Sequence, residues 1–344
     1  MSKIKPSKGA PYARILGVGG YRPVRVVPNE VILEKIDSSD EWIRSRSGIE
    51  TRHWANDEET VAAMSIEASG KAIADAGITA EQIGAVVVST VSHFKQTPAV
   101  ATEIADKLGT DKAAAFDISA GCAGFGYGLT LAKSLVVEGS AEYVLVIGVE
   151  RLSDLTDLED RATAFLFGDG AGAIVVGPST EPAIGPTVWG SEGDKSETIK
   201  QTVPWDRYRV GGDVSGLPVD SQGKVKFPAI TQEGQAVFRW AVFEMAKVAQ
   251  QALDAAGISA DELDVFIPHQ ANERIIDSMV KTLKLPETVT VARDVRTTGN
   301  TSAASIPLAM ERLLATGEAK SGDTALVIGF GAGLVYAASV VTLP

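Results

Sequence analysis

The chain has 344 residues, of which 45% are hydrophobic and 22% charged, a formal net charge of −12 and one cysteine. That is ample apolar content for a large core in one or two domains, while the acidity excludes a general nucleic-acid binder, which needs a positive footprint. No apolar stretch reaches the length of a membrane span, one cysteine cannot form an internal disulfide and so points to a reducing, cytoplasmic compartment, and the three histidines (His53, His93, His269) have no metal-ligand spacing.

Residues 1–8 are basic but have no apolar centre, so they do not read as a secretory signal. Gly17-Val18-Gly19-Gly20 follows a strand, yet Tyr21-Arg22-Pro23 comes next and no helix opens, so the dinucleotide fingerprint fails. Trp42, in Asp40-Glu41-Trp42-Ile43, reads on its own as core packing. Residues 71–88 read as a helix end, a stop at Gly77, a short linker and a buried strand from Ala85 to Val88. The lone cysteine sits in Ser119-Ala120-Gly121-Cys122-Ala123-Gly124-Phe125-Gly126, among neighbours too small to shield it. Leu129, Leu131, Ala132, Leu135 and Val136 then recur at helical spacing, so Cys122 is expected at the N-terminal end of a buried helix, whose partial positive charge favours a thiolate. On its own a free cysteine is most often a small core filler.

A strand at 143–148 follows, then Arg161, which alone reads as a surface ion pair. Gly168-Asp169-Gly170-Ala171-Gly172 reads as a tight turn running into a strand at 173–176. Residues 185–228 are rich in Gly, Asp and charge and read as a long surface excursion. A helix is expected from near Phe238, with Phe238, Ala241, Met245, Val248 and Ala252 facing the core and Arg239, Glu244, Lys247 and Gln251 off that stripe. A buried strand at 265–267 leads into Pro268-His269-Gln270-Ala271-Asn272, which places His269 at the C-terminal end of a strand, where an α/β sheet presents active-site groups. A capped strand-end histidine is the alternative. Thr298-Gly299-Asn300-Thr301-Ser302 reads as a turn and helix cap, and Gly329-Phe330-Gly331-Ala332-Gly333, after a strand at 325–328, as a second tight turn.

The chain repeats itself. Residues 71–88 echo 251–268 at an offset of 180, and Gly121-Cys122 through Gly139 echoes Gly299-Asn300 through Gly317 at an offset of 178, each copy then running into Leu-Val-Ile-Gly. Two copies of one α/β unit imply a pseudo-twofold molecule, read here as halves at 1–184 and 229–344 joined by 185–228. A solenoid would need a shorter period and more copies. The strands are apolar along their length, so both faces are buried under helices. The repeat sets Cys122 and Asn300 at equivalent points, so both can face one cavity.

Ala-Gly-Cys122-Ala-Gly-Phe, Pro-His269-Gln-Ala-Asn and Gly-Asn300-Thr-Ser-Ala-Ala-Ser, in that order, resemble the 3-oxoacyl-[acyl-carrier-protein] synthase III family of the thiolase superfamily, and the likeness runs from Ala13 to the end. The resemblance implies a five-layered αβαβα fold, a homodimer, and decarboxylative condensation of a short-chain acyl-CoA, straight or branched, with malonyl-acyl carrier protein to begin fatty acid synthesis. It makes Cys122 the acylated nucleophile, His269 and Asn300 the enolate stabilisers, and the amides of Cys122 and Ala332 the oxyanion hole, with no metal and no redox cofactor. Glycine is more usual at the position of Ala332. CoA recognition falls to Trp42 and Arg161 around the adenine and to Arg46 near a phosphate. Carrier-protein docking falls to residues Gln270, Ala271, Asn272, Glu273 and Arg274 together with Arg239, extended by Lys281 and Lys284, with Glu273 standing where an apolar residue is usual. Thr97 takes the position that reaches the partner's acyl pocket across the dimer. The rival readings are a starter-unit synthase or acyltransferase of a specialised pathway and a non-catalytic partner subunit.

Overall fold

Among the described residues, ten strands written mostly in small and β-branched apolar residues pair into two five-stranded sheets. The structure is a computed structural model and describes residues 4–110, 112–208 and 214–344. In chain order the strands are β1 (Tyr12–Tyr21), β2 (Ile83–Ser89), β3 (Ala114–Ile118), β4 (Tyr143–Arg151), β5 (Asp169–Ser179), β6 (Val188–Ser191), β7 (Val265–Pro268), β8 (Thr290–Val291), β9 (Thr324–Gly331) and β10 (Val335–Thr342). The helices used below are α1 (Asp40–Ser47), α2 (Val61–Asp75), α3 (Val100–Leu108), α4 (Gly124–Glu138), α5 (Gly234–Phe243), α6 (Met245–Ala256), α7 (Glu273–Leu283) and α8 (Ser305–Thr316). No described helix is long and apolar enough to cross a membrane.

The sheet orders are β1-β5-β4-β2-β3 and β6-β10-β9-β7-β8. In the first, β4, β2 and β3 are parallel while β5 and β1 join antiparallel. In the second, β9, β7 and β8 are parallel while β10 and β6 join antiparallel. The two sheets therefore match strand for strand. Helices α4 and α8 lie between them, where Phe125, Leu129, Ile306 and Met310 pack against Val146 and Ile174 of one sheet and Ile267 and Val327 of the other. Helices α2 and α3 cover the outer face of the first sheet, and α6 and α7 that of the second. This is the five-layer αβαβα arrangement that the resemblance implies.

The repeat is also local. After α2 and α6 the chain enters 3-10 turns at Ala80–Gln82 and Ala260–Glu262, each with a capping box from Thr79 or Ser259, and then β2 or β7. Both central helices stop on a left-handed glycine, Gly139 at φ 90° and Gly317 at φ 75°.

Three expectations are corrected. The stretch 185–228 is not only a surface excursion: Val188–Ser191 is β6, the edge strand of the second sheet and the counterpart of β1, so the second unit begins before residue 229. Residues 199–201 of the same stretch pair with 230–232, and 209–213 lie outside the described residues. The helix expected from Phe238 begins a turn earlier, at Gly234, whose low helix propensity hides the start, and it is interrupted at Glu244, although Ala241, Met245, Val248 and Ala252 are buried as expected. The strings 168–172 and 329–333 lie largely inside β5 and β9 rather than in turns. Their glycines thin the strands where another layer comes close: a Cβ on Gly172 would stand 2.7 Å from Pro307, and one on Gly331 2.8 Å from the Cβ of Cys122.

Candidate active site

Cys122 lies on a 3-10 turn, Gly121–Ala123, that opens α4 at the C-terminal ends of the parallel strands. Its side chain rests on Gly331, where a Cβ would come within 2.9 Å of the sulfur. Solvent reaches the residue through a cavity, so its surface is only half-buried, yet protein surrounds it on every other side. That enclosure pushes the thiol up to about 12; the Ser302 hydroxyl opposes the rise and Glu150 adds to it. Desolvation therefore opposes the thiolate that the helix terminus favours.

His269 directly follows β7 and is 2% exposed. Its Nδ1 lies 2.7 Å from the Ser305 hydroxyl, which accepts from the Gln270 amide at 3.4 Å. When the hydroxyl donates to Nδ1, the ring carries its proton on Nε2. Burial holds the imidazole down to about 3, so it is a neutral N–H donor at ordinary pH. Asn300 is fixed through its backbone, its amide donating to Leu166 O at 2.8 Å and its carbonyl accepting from Gly168 at 3.0 Å. Its Oδ1 accepts from the Ser302 amide at 2.8 Å, which leaves the Nδ2 end free to donate.

Cys122, His269, Asn300 and Ala332 line one cavity of about 930 Å³ of empty space, walled by apolar groups including Val91, Leu152, Leu155, Phe167, Trp240 and Phe330. A hydrophobic vault around a thiol and two N–H donors fits an acyl group whose charge develops on oxygen. A second cavity of about 1530 Å³ shares Gln232, Val237, Ala271, Ile275 and Asn300 with the first and opens between Trp42, Arg46, Arg239 and Arg274. The site is therefore a tunnel with an arginine-rimmed mouth.

At that mouth the Arg161 guanidinium stands over the Trp42 ring at 5.1 Å, and Trp42 meets Phe165 edge-on at 5.5 Å. Arg274 lies over Phe238 at 5.0 Å and is exposed, as are Arg239, Lys281 and Lys284. Two expected docking residues are corrected. Gln270 is fully buried, donating to Pro268 O and Ala292 O and accepting from the Val295 amide, so it cannot meet a partner's surface. Glu273 is turned into ion pairs with Arg293, at 2.8 Å, and Arg296, so its charge is neutralised within the chain. Asn272 caps α7 and donates to Arg46 O at 2.9 Å, tying the docking segment to α1. Thr97 is exposed and is not among the residues lining the cavities of its own chain.

Sequence reasoning missed Glu150, Ser302 and Ser305 as site residues. Glu150 had the same signal as His269, a polar residue closing an apolar strand in a parallel sheet. Among the described residues no group of three His, Cys, Asp or Glu is placed to hold a metal ion.

Family models described as 3-oxoacyl-[acyl-carrier-protein (ACP)] synthase III and its C-terminal part match residues 116–193 and 253–343. The chain is 91% identical over 344 residues to beta-ketoacyl-[acyl-carrier-protein] synthase III 1 of Streptomyces coelicolor and 89% identical to the beta-ketoacyl-[acyl-carrier-protein] synthase III of Streptomyces glaucescens, with all of each chain covered. Among solved structures it is similar to the priming β-ketosynthase of the R1128 polyketide biosynthetic pathway, at TM-score 0.93 and 44% identity over 100% of this chain and 99% of that one. It is also similar to 3-oxoacyl-(acyl carrier protein) synthase III from Pseudomonas aeruginosa, at TM-score 0.85 and 35% identity over 97% and 98%.

Proposed function

The chain belongs to the 3-oxoacyl-[acyl-carrier-protein] synthase III family, and on that premise we propose that Cys122, His269 and Asn300 divide its reaction between them. The enzyme is an acyltransferase that condenses an acyl-CoA with malonyl-acyl carrier protein to begin fatty acid synthesis, and it needs no cofactor because the CoA thioester is itself the substrate. In the first half-reaction the Cys122 sulfur attacks the thioester carbonyl, the Cys122 and Ala332 amides donate to the oxyanion, and CoA leaves to give an S-acyl enzyme. In the second, malonyl thioester enters the tunnel and loses CO2. His269 Nε2–H and Asn300 Nδ2–H hold the enolate oxygen while its carbon attacks the acyl-cysteine, releasing a 3-oxoacyl thioester.

The observation that carries this reading is the convergence of one thiol and two neutral N–H donors on a single apolar cavity. Acyl transfer to an alcohol or amine would give Asn300 no enolate to stabilise. Trp42 and Arg161 would hold the adenine, Arg46 a phosphate, and Arg274 and Arg239 the acidic carrier protein, with Ala271 and Asn272 beside its arm. A cytoplasmic homodimer completes the proposal.

The test follows both half-reactions by intact mass, CO2 release and 3-oxoacyl product. Cys122→Ala should abolish S-acylation. Asn300→Ala should retain S-acylation but lose condensation by roughly two to three orders of magnitude, the usual effect of one lost oxyanion donor, about 3–4 kcal/mol. An acyl adduct on the Cys122→Ala protein, or full condensation by Asn300→Ala, would overturn the assignment.

A further inference from the structure

One buried ionisable group next to the nucleophile has no part in that scheme. Glu150, near the end of β4, is fully buried. Its Oε2 accepts from the Ser92 hydroxyl at 2.6 Å, the Val91 amide at 3.1 Å and the Thr90 hydroxyl at 3.2 Å, whereas its Oε1 has no hydrogen-bond partner among the described residues. A half-satisfied buried carboxyl is costly to keep, so its other oxygen calls for a use.

The neighbourhood supplies one. The 3-10 turn Ser302–Ala304 packs on β4 so closely that a Cβ on Gly148 would stand 2.1 Å from Ala303 O, and it also touches the Cys122 turn. Ser302 is 4% exposed, lines the catalytic cavity and has φ 47°, a left-handed backbone unusual for a serine. Ser302 is thus a shared neighbour of the Cys122 thiol and the Glu150 carboxyl, and its hydroxyl opposes the upward shift of both. The groups around Glu150 leave that path clear: Asp169 on the adjoining β5 is held by Ser153 and the Ala55 amide, and Arg151 turns outward to Asp154 and Asp57. His269, neutral and bound to Ser305, is not a base at ordinary pH.

We infer that Ser302 and Glu150 form a proton relay for Cys122, in which the Ser302 hydroxyl takes the thiol proton while passing its own to Glu150 Oε1. The thiolate so formed attacks the thioester, the carbon–sulfur bond to CoA breaks, and the departing CoA sulfur takes a proton back through Ser302, which leaves Glu150 ionised and the enzyme acylated. Protons and charge balance over the cycle with no added reactant. Ser302 touches the reacting sulfur; Glu150 acts through it. Burial raises the Glu150 carboxyl to about 7, so it is available as an acceptor once the pH passes neutrality.

This inference rests on the proposed acylation of Cys122, and the test separates the two. Full-length enzyme is mixed with acetyl-CoA or isobutyryl-CoA, and the rate of S-acylation is read by quenched intact mass across the neutral pH range. The unmodified enzyme should speed up through one inflection near pH 7. Glu150→Gln should slow acylation roughly tenfold or more and remove the inflection. A merely electrostatic neighbour does the opposite, because the Glu150 charge raises the Cys122 pKa and its removal would free more thiolate. Ser302→Gly, which suits φ 47° and deletes only the hydroxyl, should be slowed likewise and decides the matter if Glu150→Gln does not fold. Acylation of either folded variant at the unmodified rate with the inflection kept overturns the relay, whereas failure of the unmodified enzyme to acylate Cys122 overturns the parent reading instead.

Discussion

His269 and Glu150 are buried groups whose protonation preferences pull stability in opposite directions. His269 is held at about 3 against an ordinary 6.5, so its contribution is present above pH 6.5 and is lost as pH falls toward 3. Glu150 is raised from 4.5 to about 7, so its contribution is present below pH 4.5 and is lost as pH rises through 7. Between pH 4.5 and 6.5 the two oppose each other. Relative to the unmodified protein, His269→Gln should therefore lose less thermal midpoint, or gain some, on acidification across that window. Scanning calorimetry at stepped pH checks this, and parallel midpoint curves for the two proteins would refute the neutral buried imidazole. Cys122, His269 and Asn300 were all legible in the sequence, because small neighbours, a strand end and a repeat position are local signals. Their charge states were not. Whether Cys122 is thiol or thiolate depends on the enclosure by Gly331, Ser302 and Glu150, which sequence distance hides.

At the scale of elements, legibility followed how much of an element's identity is its own. The glycine stops, the capping boxes at Thr79 and Ser259 and the doubly buried strands carry their own signals, so the repeat could be read directly. Strand β6 could not, since four residues with an exposed Trp189 become a strand only by pairing with β10. Helix α7 illustrates the same limit at the site. Its sequence suggested a docking strip from Gln270 to Arg274, but Gln270 is spent on internal hydrogen bonds and Glu273 on Arg293 and Arg296, which leaves Arg274 beside Arg239 as the exposed charge at the tunnel mouth. Arg274→Glu should raise the apparent KM for malonyl carrier protein severalfold, more at low salt than at high, while leaving transacylation from acyl-CoA nearly unchanged. Steady-state kinetics with each substrate at two ionic strengths measures it, and equal effects on both substrates would make Arg274 a structural residue.

The whole molecule sets the remaining specificity. A chain with net charge −12 repels an acidic partner at long range, so the basic rim at the mouth has to select the approach locally. Inside, the cavity is bounded by one chain's own residues, and Thr97, exposed on the loop after β2, is not among those that line it. In the proposed dimer that residue would border the partner's acyl pocket. A threonine there leaves room for added methyl or methylene groups, each worth ~0.8 kcal/mol when buried, or about fourfold in preference. The unmodified enzyme should therefore use isobutyryl-CoA alongside straight short acyl-CoAs, and Thr97→Phe should lower the isobutyryl-to-acetyl ratio by at least that factor. Competition assays with both starters on both proteins decide it: exclusive use of acetyl-CoA by the unmodified enzyme, or a ratio unmoved by Thr97→Phe, would show that Thr97 does not bound the acyl pocket.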